Sequence, residues 1–120
     1  TMPPGALELR AAVTTGDVRS VTAFVRKNPE LLDVGSAAWC ERVGWPYSRF
    51  GPGLPPAIDL FAVAIRGCQP EALVTLAQLA VEDQGLRLRE RNESRKVLAD
   101  YLALIDCDEI GVVALELYSN

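Results

Sequence analysis

Apolar residues recur at helical spacing along most of this chain. Ala6 to Thr14 is rich in leucine and alanine and reads as a helix. Gly16-Asp17 punctuates it, and Asp17 suits an N-cap because its carboxylate accepts from the exposed amides of the following turn. Val18, Val21, Phe24 and Val25 then give a second helix one apolar face. Asn28-Pro29 stops it, and Glu30 to Asp33 follows as a short turn anchored by Leu31 and Leu32. Further on, Ile58, Leu60, Phe61, Val63, Ala64 and Ile65 are apolar almost all round, the pattern of a helix packed on several sides. Pro55-Pro56 suits its first turn and Gly67 its C-terminal turn. Pro70-Glu71 opens another helix with Leu73, Leu76, Ala77 and Ala80 on one face. Beyond Gly85, charged residues give way to Val97, Leu98, Tyr101, Leu102 and Ile105, which predicts a long amphipathic helix from Leu88 or Glu93. Ile110 to Tyr118 predicts a last helix. A strand is the alternative there, given Val112-Val113, but no second convincing strand exists to pair with it.

Residues 34 to 55 break this pattern. Gly35, Gly44, Gly51 and Gly53 alternate with Pro46, Pro52 and Pro55, so a long helix is excluded, although Ala37 to Val43 has room for a short one. Twenty-odd irregular residues inside a compact domain are unusual and often functional. The reading is therefore a single all-α domain over residues 1–120, with about six helices in stacked antiparallel pairs. The pairs span about 6–28, 56–82 and 88–118, and the irregular insertion at 34–55 separates the first from the second.

The pairs share a plan. Ala11-Ala12-Val13-Thr14-Thr15-Gly16-Asp17-Val18, followed by Val21 and Phe24-Val25, resembles the centre of an ankyrin repeat. In that family small alanines end the first helix, glycine makes the turn and an aliphatic pair closes the second. Ala62-Val63-Ala64-Ile65-Arg66-Gly67, followed by Leu73 and Leu76, looks like a second copy, and Leu102 to Asp106, followed by Ile110, Val113 and Leu117, like a degenerate third. Gly16 and Gly67 are 51 residues apart, against a family period of about 33, and the insertion accounts for most of the difference. The resemblance implies an α-solenoid that recognises another protein through loops and first helices on its concave side.

Composition narrows the function further. Net charge is −4, from 12 basic and 16 acidic side chains, which disfavours generic binding to nucleic acid or anionic membranes and favours a basic partner surface. No apolar run approaches the length of a membrane span. Thr1 to Gly5 lacks the features of a secretory signal, and Thr1 ahead of Met2 reads as a cloning remnant. Asn92-Glu93-Ser94 matches a glycosylation acceptor and is taken as chance. The three cysteines, Cys40, Cys68 and Cys107, are odd in number and widely spaced, so they read as free thiols in a reducing compartment. The expected location is cytoplasmic.

Catalysis finds little support. The chain has no histidine, hence no ordinary neutral-pH proton shuttle and no short-spaced Cys/His zinc site. Cys40, beside Glu41 and Arg42, is the best placed thiol, with an ordinary loop cysteine as the plainer reading. Asp106, Asp108 and Glu109 are acidic together, but their plainer role is helix capping. No catalytic residue, metal or cofactor is therefore assigned. Arg87, Arg91 and Arg95, at i, i+4 and i+8, would form one guanidinium stripe for nucleic acid or an acidic partner; Glu90 and Glu93 would neutralise it on a solvated face.

The aromatic insertion is the most informative feature. Trp39, Trp45, Tyr47 and Phe50 are half of the chain's eight aromatics, and Arg42 and Arg49 lie among them. Trp, Tyr and Arg most often carry binding energy at interfaces. These six residues are the expected contacts with a partner protein, with some rings turned inward to the core and others outward. The expected function is an adaptor- or inhibitor-type interaction module. Nucleic-acid binding through the arginine stripe is the alternative, a loop enzyme the weakest reading, and self-association through the apolar C-terminal helix a further route.

Overall fold

The computed structural model describes residues 3–44, 59–90 and 106–119. Six α-helices lie in these segments: α1 (Ala6–Thr15), α2 (Val18–Lys27), α3 (Ala37–Val43), α4 (Leu60–Arg66), α5 (Pro70–Gln84) and α6 (Asp108–Ser119). Short 3₁₀ turns occupy Pro29–Asp33 and Leu88–Glu90. No strand occurs among the described residues, and 110–118 is helical.

Side-chain caps set three of the six described helix starts. Asp17 caps α2: its Oδ1 accepts from the Ser20 amide at 3.2 Å and its Oδ2 from the Ser20 hydroxyl at 2.7 Å. Those bonds, the hydroxyl's first, hold the Asp17 carboxyl below its ordinary range. Ser36 caps α3 by accepting from the Trp39 amide at 3.1 Å. Asp59 caps α4 by accepting from the amides of Phe61 and Ala62. Helix α4 thus begins at Leu60; Pro55 and Pro56, expected to open it, lie outside the described residues.

Helices α1 and α2 pack as one pair and α4 and α5 as another; α1 lies on α4, α2 on α5, and α6 on the far side of α5. The two turns within these pairs have the same hydrogen bonds. Gly16 donates to Val13 O and Asp17 to Ala12 O; Cys68 donates to Ile65 O and Gln69 to Ala64 O, each 52 positions later. Gly16 is left-handed with φ 74°, and its counterpart is Cys68 with φ 52°. The expectation that Gly67 makes the second turn is corrected by one residue, because Gly67 has an ordinary φ of −83°. Buried positions agree with the same offset: Leu9 with Phe61, Val13 with Ile65, Val21 with Leu73.

The turns are also tied across the stack. Gln69 Nε2 donates to Thr14 O at 3.0 Å, and its carboxamide sits where a side chain on Gly16 would begin. On the other side, Cys68 and Cys107 form a disulfide, with Cα atoms 6.1 Å apart. This overturns the reading of three free thiols. It also removes the cysteine argument for a reducing compartment, since disulfides persist mainly where the surroundings oxidise.

Closing a loop with a sequence separation of 39 stabilises a fold by about 3–4 kcal/mol through the unfolded chain. Reduction, or Cys68→Ser with Cys107→Ser, should lower the denaturant-unfolding free energy by about that amount; equal midpoints in the oxidised and reduced protein would count against the cross-link. The depressed Asp17 carboxyl contributes stability that is complete above its unfolded value and lost as pH falls through its folded value. Asn caps helices as well as Asp but does not titrate. Asp17→Asn should therefore flatten the loss of stability as pH falls below the ordinary aspartate value of 3.8, read from urea midpoints at each pH.

Candidate interaction surface

The aromatic insertion is described only as far as Gly44. Within that part, the Ser36 cap and the length of α3 turn Trp39 and Cys40 inward: they are 4% and 1% exposed and join the main core. Arg42, in the last turn of α3, is exposed. The two expected contacts therefore part company, Trp39 serving the core and Arg42 remaining on the surface. Trp45, Tyr47, Arg49 and Phe50 lie outside the described residues.

Cys40 is no activated nucleophile in this setting. Burial first, and then the charge of Asp59, push its thiol upward, so the reactive thiolate is disfavoured. The expected arginine stripe also changes at its first member. Arg87 is exposed in an irregular stretch before the Leu88–Glu90 turn and is not on an α-helix. Arg91 and Arg95 lie outside the described residues. Leu88, next to Arg87, is buried against α6 and opens a short 3₁₀ turn; the alternative start at Glu93 and the rest of the expected amphipathic helix lie outside the described residues. Asp108 and Glu109 occupy the first turn of α6, where negative charge complements the helix dipole. Among the described residues no three His, Cys, Asp or Glu side chains converge as metal ligands.

Two surface grooves were not legible in the sequence. One, of about 180 Å³, lies between the C-terminal ends of α2 and α5, and the Arg26–Glu82 ion pair at 3.6 Å joins two of its lining residues. The other, of about 450 Å³, is framed by the N-terminal halves of α2, α5 and α6. Val18, Pro70, Val74 and Val113 form its apolar lining, and Glu71 and Glu109 its charged one. The sequence signal was present but ambiguous: each valine reads as one more core position until the stacking of three helices leaves it half covered.

Trp39→Ala separates core from interface. Truncating a buried aromatic should cost about 3–5 kcal/mol, measured by chemical denaturation, whereas Arg42→Ala should change stability by less than about 0.5 kcal/mol. A Trp39→Ala protein as stable as the wild type would return Trp39 to the surface.

No protein-family model, curated protein or solved structure matches this chain, so the reading of its surface rests on its own residues.

Proposed function

We propose that this chain is a protein–protein interaction module of adaptor or inhibitor type, built as an ankyrin-like stack of antiparallel helix pairs. It binds a partner through Arg42 and the adjoining Trp45, Tyr47, Arg49 and Phe50, together with neighbouring helices. The observation that carries this reading is the pairwise packing of α1 on α4 and α2 on α5, with matching turn hydrogen bonds 52 residues apart. In stacks of this kind each pair covers its neighbour, and the connections between pairs are left to vary as recognition surface. The insertion carrying these aromatics is such a connection. The net charge of −4 favours a partner with a basic surface, which would also speed its approach. Nucleic-acid binding through Arg87, Arg91 and Arg95 is the weaker reading, because Arg87 does not lie on an α-helix.

The test is an affinity capture from the native host lysate with wild type and a Trp45→Ala/Tyr47→Ala variant, both checked by circular dichroism. A protein held by the wild type and lost by an equally folded variant is the expected result. Equal capture by both folded proteins would remove the loop as the interface. Recovery of nucleic acid that dissociates as salt rises would favour the arginine reading.

A further inference from the structure

We propose that the groove between α2, α5 and α6 is a second docking surface, separate from the aromatic insertion, and that its occupant is a partner helix with one aliphatic face and basic edges. Three observations carry this. The groove is apolar at its valines, Val18, Val74 and Val113, which come from three different helices, while Glu71 and Glu109 line it as acids. Both glutamates are exposed.

The second observation concerns where α6 stands in the stack. Asp17, Gln69 and Cys107 each precede a helix and accept from the amide four residues on, at 3.0, 3.0 and 3.3 Å. Counting eight residues from each reaches Val25, Ala77 and Leu115. Val25 and Ala77 are 2% and 6% exposed, whereas Leu115 is 57% exposed. A position buried in two successive helices is open in the last one. Val112, one turn before Glu116 and one after Asp108, is 67% exposed on the solvent side of α6.

The third observation is charge. Helix α6 carries Asp108, Glu109 and Glu116 and no lysine or arginine. A second copy of this chain pairing α6 with α6 about a two-fold axis would set the acids Asp108, Glu109 and Glu116 of one copy against the same acids of the other, like charge against like, whether the helices run parallel or antiparallel. A basic amphipathic helix meets the same surface with complementary charge and can seat its aliphatic row in the groove.

The experiment uses the intact, oxidised chain labelled with ¹⁵N. The probes are a synthetic helical peptide of leucine, alanine and lysine with its leucines on one face, and a matched peptide in which every lysine is glutamate. The lysine peptide should shift the amides of Val18, Glu71, Val74, Glu109 and Val113, and the glutamate peptide should not. Glu71→Gln with Glu109→Gln, which alters only exposed side chains, should weaken the lysine peptide by about tenfold. Equal binding of both peptides, shifts scattered over the whole surface, or an affinity unchanged in the double variant would each overturn the proposal. So would a dimer in sedimentation that Val113→Arg dissociates, because the occupant would then be a second copy. None of these outcomes depends on the Trp45/Tyr47 insertion, so the two interfaces stand or fall separately.

Discussion

Between Ala72 and Ala80, α5 carries six buried apolar side chains, Ala72, Leu73, Leu76, Ala77, Leu79 and Ala80. They are all buried because α2, α4, α6 and the Pro29–Asp33 turn pack around one helix. The alanines let the neighbouring backbones come close and the leucines fill the spaces that remain. The surrounding helices need this partner. Helix α2 has ten residues and its buried stripe is only Val21 and Val25; a helix that short is marginal in water without tertiary cover. Helix α6 likewise buries Ile110, Ala114 and Tyr118 on one side alone. Removing α5 would expose the apolar stripes of both helices at once, so the stack forms as a unit.

The turn edge of this stack is held by two long-range ties. Gln69 to Thr14 and Cys68 to Cys107 tie successive turns. At the other end Arg26 pairs with Glu82, both exposed, and Gln84 donates to Asp33 at 3.3 Å; an exposed ion pair of this kind is weak. Cys68 shows how the balance was struck. A left-handed residue that is not glycine costs about 1–2 kcal/mol, and Gly16 avoids that cost at the equivalent place. Glycine at 68 would relieve the backbone but lose the cross-link, whose contribution of about 3–4 kcal/mol is the larger effect.

Helix positions were largely legible in the sequence because apolar spacing and capping residues act locally. Asp17, the Leu31-Leu32 anchors, the short helix at 37–43 and the helical rather than strand-like end at 110–118 all fall in this class. What was missed depends on distance. Cysteine spacing says nothing about two residues brought 6.1 Å apart by the packing of α6 on α5, and an odd count hid the pair. The one-residue error at Gly67 arose because glycine is the usual left-handed residue, and only the cross-link explains a cysteine there. Trp39 was ambiguous for a different reason. A tryptophan in an irregular segment suits an interface and a core equally, and the cap at Ser36 decides which way it points.

The open face of α6 has a balance of its own. Fully burying a valine or leucine side chain contributes about 1.5–3 kcal/mol, so Val112 and Leu115 together supply about 3–6 kcal/mol before any ordering cost. By themselves they support millimolar association at most, once the loss of rotational and translational freedom is counted. An affinity in a useful range therefore needs the valines of the adjoining groove and charge pairing at Glu71 and Glu109 as well. The same acids oppose a second copy of the chain. In the proposed complex these acids would thus repel a second copy and attract a basic helix, which a wholly apolar end face would not do.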